Sequence, residues 1–210
     1  MLIAVPTALE RELLDSCHVP AGVRWLVCGA GPALSAMNIA LSLERQKAKF
    51  VILAGIAGGY EGRTAPLDVV LAESEVFGDL GRCGDEGISG IGLSEDELPL
   101  FFSLKDSLTD ISGMSPDVPE MICGQMVTVS CVSASPDAAR RITVRFPEAL
   151  CENMEGASAA MVCRYFNIPF MELRGISNVA GDIDRRNWLV EEAMMLTGKK
   201  LKLVTERGLA

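Results

Sequence analysis

Short apolar runs alternate with amphipathic segments along most of this chain. The runs 2–5, 50–53 and 69–72 are almost continuously apolar, which is typical of strands buried on both faces of a sheet. A helix is predicted after the first run, and another begins at Pro32. Strands that alternate with helices predict an α/β protein. We expect a three-layer αβα sandwich with a mixed, mostly parallel central sheet.

One strand–helix–strand unit in the second half of the chain carries most of the functional information. Its first strand runs into a helix at Glu155, where small residues follow and allow a tight turn. Its second strand, 170–176, delivers Asn178 at its carboxyl end. Ligands of open α/β sheets bind at the carboxyl ends of strands. Glu155 and Asn178 are therefore predicted to lie on the same rim of the sheet.

The other segments predict elements of ordinary kinds. Thr7 and Glu10 have the spacing of a capping box at the start of the first helix. Apolar runs and helical patterns, separated by Gly- and Pro-rich stretches, divide most of the rest of the chain into predicted strands, helices and loops. These patterns predict strands at 23–28, 68–79 and 121–132, helices at 95–111, 136–145 and 187–206, a mobile loop at 81–92 and a connection at 112–119.

Composition limits the classes of function that fit this chain. The 210 residues are 49% hydrophobic and contain no obvious linker, which predicts one domain spanning 1–210. The formal charge of −9 disfavours nucleic acid as a partner, because an acidic surface repels phosphate backbones. The seven Cys are scattered and form no CxxC pair, which favours reduced thiols in the cytoplasm over disulfides or a zinc site.

No segment predicts export, membrane insertion or a dinucleotide cofactor. The longest apolar run, 50–60, is well short of the roughly 20 residues that a membrane span needs, and the N-terminus lacks a basic region. Backbone N–H groups at Gly29 and Gly31 could cradle an anion. No acidic residue follows at the place where it would bind the ribose of NAD. We expect no cofactor, no metal and no membrane partner.

Two motifs resemble those of a known family. They are the segment 153–157, Asn-Met-Glu-Gly-Ala, and the segment 174–178, Arg-Gly-Ile-Ser-Asn. With their spacing they resemble the nucleoside phosphorylase/nucleosidase superfamily, and the tail 177–188 is similar to its futalosine hydrolase members. The similarity extends from residue 1 to about 196. It implies cleavage of an N-glycosidic bond without metal or cofactor, in an enzyme that commonly forms dimers or larger assemblies.

The resemblance also implies roles at the sugar end of a site. The superfamily places the glutamate that activates water after the first strand, at a spacing that matches Glu12; Glu10 is the less favoured candidate and is expected to cap its helix. Met154 is expected to pack on the sugar, and Glu155 to accept hydrogen bonds from the ribose hydroxyls. A loop of small residues after the third strand is expected against the sugar and base, through Ile56, Ala57 and Gly58.

Asn178 is the informative residue at the base end of the site. Adenine-specific nucleosidases have an aspartate here that can protonate N7, whereas an amide cannot act as an acid. An amide that donates to N7 and O6 favours hypoxanthine, but an amide that accepts from the 6-amino group also suits adenine. Val132 is expected to make a flat apolar contact where relatives carry a stacking aromatic, and Ser177 could orient the water or its glutamate.

The predicted function is hydrolysis of futalosine to hypoxanthine and dehypoxanthine futalosine, in menaquinone biosynthesis. An adenine-releasing nucleosidase that acts on methylthioadenosine, S-adenosylhomocysteine or aminodeoxyfutalosine is one alternative, and a purine nucleoside phosphorylase is another. A nucleoside-binding protein without activity is the alternative outside enzymes. No arginine matches the phosphate site of the phosphorylases, which favours water. We expect Arg174 to serve as an ion-pair partner, the loop 182–186 to close over a small nucleoside, and the chain to form a homo-oligomer.

Overall fold

The computed structural model describes residues 1–15, 22–84, 87–94, 97–105 and 121–208. These residues form five α-helices, ten strands and one short 3-10 helix, Arg185–Asn187. The helices are α1 (Ala8–Asp15), α2 (Pro32–Arg45), α3 (Pro136–Arg145), α4 (Gly156–Tyr165) and α5 (Val190–Gly208). The strands are β1 (Leu2–Val5), β2 (Arg24–Val27), β3 (Val51–Gly59), β4 (Val69–Phe77), β5 (Arg82–Gly84), β6 (Gly87–Ser89), β7 (Phe101–Ser103), β8 (Ile122–Thr128), β9 (Ala149–Asn153) and β10 (Phe170–Val179).

The main sheet closes on itself. Its strands follow the order β10-β4-β8-β9-β3-β1-β2, and β10 also pairs with β3, so β3, β9, β8, β4 and β10 form a ring. Among the described strands of this sheet, five pairings are parallel and three are antiparallel. The prediction of an α/β fold with a mixed, mostly parallel sheet is confirmed. The three-layer sandwich is not, because a ring of strands has replaced an open middle layer.

Both faces of β3 are buried, as its apolar sequence predicts. Val51 and Leu53 belong to one apolar cluster, which includes buried residues of α2 and α4. Ile52 and Ala54 belong to a second cluster, which includes buried residues of α1 and α5. Successive side chains of a strand point to opposite faces, so helices cover the strand from two sides. β3 is thereby fixed at the centre of the molecule.

Several predicted elements differ from the structure. The loop of small residues expected after the third strand, 54–59, is instead the second half of β3. Its backbone pairs with β10 and β9. Part of the stretch 81–92 forms the hairpin β5–β6. The helix expected at 95–111 is wrong where it can be compared, since Phe101–Ser103 pairs with β4. Residues 95–96 and 106–111 of that helix, and the connection 112–119, lie outside the described residues.

No helix in the described part of the chain is long and apolar enough to cross a membrane.

Candidate active site

A cavity of about 690 Å³ opens at the carboxyl ends of β1, β3, β9 and β10. The start of α1, the segment after β8 and the segment between β10 and α5 complete its walls. This volume lies in the range of small-molecule sites in proteins. The parallel pairing of β1, β3 and β10 explains the location, because strands that run the same way end at the same rim.

Most of the predicted site residues line this cavity. The fold brings them together from four separate segments of the sequence. They are Ile56, Ala57, Gly58, Val132, Met154, Glu155, Ser177 and Asn178.

Glu12 is the exception, and its predicted place in the site is wrong. Glu12 is exposed, whereas Glu10 is buried and lines the cavity. The reason is helical geometry: Glu10 and Leu14 are four residues apart and share the buried face of α1. Glu12 is two residues from each of them, on the opposite side. The spacing between Glu10 and Leu14 was the signal that could have identified the buried glutamate.

Glu10 supports the cap of its helix at Thr7 and also reaches the cavity. Its backbone N–H donates to Oγ1 of Thr7 at 3.2 Å, and the Thr7 hydroxyl donates to Oε2 of Glu10 at 2.6 Å. The N–H of Ile56 donates to Oε1 at 3.1 Å. Burial raises the pKa of Glu10 above its ordinary value, although these hydrogen bonds and Arg174 act in the opposite direction. A buried carboxylate with a raised pKa suits a general base that works near neutral pH.

Glu155 is held by the glycine turn at the start of α2 and by Arg174. The N–H of Gly31 donates to Oε1 of Glu155 at 2.9 Å. Nη2 of Arg174 lies 3.1 Å from Oε2, and both side chains are almost completely buried. The glycine turn therefore binds an anion, as its sequence allows, but the anion is a carboxylate of the protein. The remaining lone pairs of Glu155 are left for a ligand.

Arg174 joins the cavity to a buried acidic group behind it. Its Nε donates to Oε1 of Glu172 at 2.7 Å, in addition to its contact with Glu155. Burial by itself would lower the pKa of Arg174, but the Glu172 and Glu155 carboxylates raise it above its ordinary value. The guanidinium thus stays charged. The expectation that Arg174 is an ion-pair partner agrees with these contacts.

Asn178 is fixed in one orientation by its neighbours. Its Nδ2 donates to the carbonyl oxygen of Val179 at 3.0 Å, and its Oδ1 accepts from the hydroxyl of Ser177 at 2.8 Å. A carbonyl oxygen can only accept, so the amide nitrogen must be the atom that faces Val179. One N–H of the amide is left to donate. Ser177 therefore orients the amide, where the sequence suggested the water or the glutamate.

A second carboxyl group, Glu75, is enclosed behind α4. The Nδ2 of Asn153 donates to its Oε1 at 2.5 Å, and the Thr128 hydroxyl donates to its Oε2 at 2.9 Å. Burial, and then the charge of Glu172, raise the pKa of Glu75 well above its ordinary value. Burial also raises the pKa of Glu172, although Arg174 acts in the opposite direction, so this pair favours sharing one proton over carrying two charges.

Gly156 leaves room for these two carboxyl groups. A methyl group on its Cα would overlap Oε1 of Glu75 and Oε2 of Glu172. Gly156→Ala is therefore expected to destabilise the protein by about 1–3 kcal/mol, because overpacking displaces a buried network. Urea unfolding measures the change. Gly90→Ala, where nothing lies within 4 Å of the added carbon, is the control; a Gly156→Ala protein as stable as this control would contradict the tight packing.

Sequence reasoning missed several residues of the cavity. Glu152 and Ser133 line it, and Ile183, Arg185 and Trp188 come from the segment before α5. The signal for Glu152 was an acidic residue inside the apolar strand 149–153, where an exposed face was not expected. Ile183 and Arg185 of the segment 182–186 line the cavity, and closure of this segment over a substrate stays a prediction.

Comparisons with known proteins place the chain in a family. The family model described as "Phosphorylase superfamily" matches residues 21–207. The futalosine hydrolase of Thermus thermophilus is 32% identical, over 99% of this chain and 96% of that protein. A 5′-methylthioadenosine/S-adenosylhomocysteine nucleosidase of Geobacillus is 27% identical, over 82% of this chain and 77% of that protein.

Solved structures show the same fold. The 5′-methylthioadenosine/S-adenosylhomocysteine nucleosidase of Helicobacter pylori, with butyl-thio-DADMe-Immucillin-A, superimposes with a TM-score of 0.81 at 20% identity. The comparison covers 98% of this chain and 97% of that one. The mixed sheet is thus part of a shared fold. The family model covers most of the chain, and a full-length relative exceeds 30% identity. The chain therefore belongs to the phosphorylase superfamily.

Proposed function

We propose that this protein is a nucleosidase that hydrolyses the N-glycosidic bond of futalosine and releases hypoxanthine. The observation that carries the proposal is the orientation of Asn178, whose remaining N–H is a donor at the cavity. The relative from Thermus thermophilus, named futalosine hydrolase, supports it at 32% identity over almost the full length of both chains.

Glu10 is the general base of this reaction. Water attacks the anomeric carbon as the bond to the base breaks, and positive charge develops on the sugar. A carboxylate that removes a proton from the water contributes to the rate in that step. Glu10 fits this role because it is buried, lines the cavity and has a raised pKa.

Glu155 and Met154 bind the sugar. Both line the cavity at the junction of β9 and α4. Glu155 keeps a fixed position because Gly31 and Arg174 each hold one of its oxygens. Its free lone pairs accept hydrogen bonds from ribose hydroxyls, and this fixed geometry places the anomeric carbon relative to Glu10.

Asn178 stabilises the leaving base. Negative charge develops on the purine as the bond breaks, and a fixed N–H donor at N7 or O6 stabilises that charge. The carboxamide keeps its hydrogens, so it acts as a hydrogen-bond donor and not as an acid. A 6-oxopurine has acceptors at both N7 and O6, which is the reason for proposing hypoxanthine.

Water, not phosphate, is the nucleophile in this proposal. Of the arginines in the described part of the chain, Arg174 and Arg185 line the cavity. Arg174 is already paired with Glu155 and Glu172, and the N–H of Gly31 is taken by Glu155. A phosphate ion would meet the carboxylates of Glu10 and Glu155 in this region, so the charge of the site favours a neutral nucleophile.

The function is tested by measuring base release from futalosine, aminodeoxyfutalosine, methylthioadenosine and inosine, each with and without phosphate. Hypoxanthine released from futalosine at a rate independent of phosphate supports the proposal. A phosphate requirement would point to a phosphorylase. Binding without release from any of the four would point to a nucleoside-binding protein.

An adenine-releasing nucleosidase is the second candidate. The relative from Geobacillus, which carries that name, is 27% identical to this chain. Adenine released from methylthioadenosine or aminodeoxyfutalosine faster than hypoxanthine from futalosine would favour this candidate and would leave the roles of Glu10 and Glu155 unchanged.

Asn178→Asp is expected to lower kcat/KM for futalosine by about 10- to 100-fold, because a buried carboxylate replaces an N–H donor opposite two acceptors. The amino-substituted substrates should lose less, since a protonated aspartate can still donate to N7. Steady-state kinetics on both substrate classes measures the change. Asn167→Asp, at an exposed position in the left-handed region that Asp tolerates, is the control. Equal losses for the two classes would contradict a role for Asn178 in reading the base.

A further inference from the structure

A buried carboxyl group at the base end of the cavity has no role in the reaction as described so far. Glu152 lies on β9, is 4% exposed and lines the cavity. Ser133 donates to it twice, from its N–H to Oε1 at 2.7 Å and from its hydroxyl to Oε2 at 2.7 Å. The hydroxyl of Tyr60 donates to Oε2 at 3.2 Å. An acidic side chain that three hydrogen bonds hold in a cavity wall either binds a ligand or stabilises the fold.

The strand register places Glu152 and Asn178 on the same row of the sheet. Asn178 is the partner of Gly58 across β10–β3, and Gly58 is the partner of Glu152 across β3–β9. Directly paired residues point to the same face. A carbon added to Gly58 would lie 3.6 Å from Cγ of Glu152, which confirms the shared face. The two polar side chains therefore stand two strand spacings, about 9.5 Å, apart in the backbone.

Gly58 is partly exposed in the cavity wall between these side chains, and a carbon added to it would also lie 3.5 Å from Cα and Cβ of Ala180. Because glycine has no side chain, the amide of Asn178 on β10 and the carboxyl group of Glu152 on β9 have no side chain of β3 between them. A flat ring system that lies over the glycine would meet a donor from Asn178 on one side and Glu152 on the other. The register thus gives the cavity a slot with two different polar walls.

The hydrogen bonds of Glu152 leave one place for a ligand. A carboxylate has about four lone-pair positions, and three donors in the protein occupy three of them. Burial raises the pKa of the Tyr60 hydroxyl above its ordinary value, and the Glu152 carboxylate adds to this, so Tyr60 remains a donor. Three donors around one carboxyl group favour its ionised form and offset part of the effect of burial, which raises the pKa of Glu152.

We infer that Glu152 determines base specificity by accepting a hydrogen bond from N1–H of a 6-oxopurine, opposite the donor that Asn178 presents to N7 and O6. This inference rests on the proposed function, because it concerns the same purine. In hypoxanthine, N1 carries a hydrogen and O6 is an acceptor. The slot therefore matches hypoxanthine, with a donor from Asn178 facing its acceptors and an acceptor from Glu152 facing its N1–H.

Adenine presents the reverse pattern at this edge. Its N1 is an acceptor, so N1 and the Glu152 carboxylate face each other as two acceptors. A hydrogen bond between them needs one additional proton, on either the carboxylate or the base. A site built to bond one polar pattern discriminates strongly against a ligand that leaves its buried groups unpaired.

Equilibrium binding of the free bases hypoxanthine and adenine tests the inference without turnover. The unmodified protein is expected to bind hypoxanthine more tightly. Glu152→Gln should lower the ratio of the two affinities by about 10-fold or more, because a glutamine amide can donate to N1 of adenine. Glu148→Gln, an equal change in charge at an exposed residue just before β9, should keep the original ratio. An unchanged ratio in Glu152→Gln would overturn the inference.

Proton uptake gives a second measurement that needs no variant. Calorimetric titrations in buffers with different ionisation enthalpies should show uptake of close to one proton with adenine at pH 8 and none with hypoxanthine. Burial raises the pKa of Glu152, and the charged or titratable groups that influence it are Tyr60 and Asp79. A purely structural Glu152 would not couple protons to the choice of base. Equal uptake with both bases would reject the role.

These results are separable from those that test the reaction. Cleavage of futalosine with no change of base preference in Glu152→Gln would reject the role of Glu152 and keep the enzyme. Loss of base preference in Glu152→Gln without cleavage of any nucleoside by the unmodified protein would keep the slot and reject the proposed hydrolysis.

Discussion

Replacing Glu10 by glutamine is expected to lower kcat for futalosine by about 10³-fold, with a much smaller change in KM. A positioned general base contributes roughly 10²- to 10⁴-fold to the rate of a proton transfer. Glutamine keeps the size of the side chain, its oxygen can still accept from the N–H of Ile56, and its amide nitrogen can donate to the Thr7 hydroxyl. Steady-state release of hypoxanthine, followed by absorbance, gives both constants.

Glu12→Gln is the matched control, because it removes the same charge from the exposed side of the same helix. Its kcat should equal that of the unmodified protein. The pH profile supplies independent support: the base acts when ionised, so kcat/KM should fall as pH decreases through the raised pKa of Glu10. A large loss in Glu12→Gln together with a normal Glu10→Gln enzyme would reverse the assignment.

Arg174→Met should destabilise the protein by about 3–5 kcal/mol, the cost of leaving a buried charge without its partner. Arg174 is 1% exposed and bridges Glu155 and Glu172, which are also buried. Without the guanidinium, these carboxyl groups must either take up protons or remain charged in an apolar interior. Urea unfolding at neutral pH measures the difference in free energy.

Arg164→Met, on the exposed side of α4, is the comparison for this effect and should change stability by less than about 0.5 kcal/mol. Part of the stability lost in Arg174→Met should return at lower pH, because Arg174 lowers the pKa of Glu172 and Glu172 takes up a proton more readily without it. A variant as stable as Arg164→Met would mean that the ion pairs contribute little beyond the apolar packing around them.

The site could largely be predicted from sequence because strand ends are local features. Glu155 and Asn178 each follow a recognisable strand, and parallel strands must end together. The spacing of Thr7 and Glu10 favours a capping role for Glu10. That role does not prevent its carboxylate from reaching into a cavity, which the local pattern cannot reveal. Glu152 could not be predicted, since its place depends on a register between β3 and β9 that only the folded chain defines.

The fold could be predicted as a class but not as a topology. The apolar runs locate β1, β3 and β4, and their alternation with helices indicates α/β. The pairing of β10 with both β3 and β4 joins segments that are more than 90 residues apart, and no local pattern contains that information. The strand Phe101–Ser103 forms by pairing with β4, which overrides the helical composition around it. The number of copies in the assembly stays a prediction.

The ring of β3, β9, β8, β4 and β10 has a consequence for how this site can diversify. Each strand in the ring has hydrogen-bonded neighbours on both sides, so no single strand can slide without breaking two ladders. Changes in the main chain of the rim are thereby costly, while side chains that project from it can be exchanged one at a time. Related proteins with this ring would therefore acquire new substrates by substitution at rim positions and by remodelling of the segment before α5, and their backbones would superimpose even where their sequences have diverged.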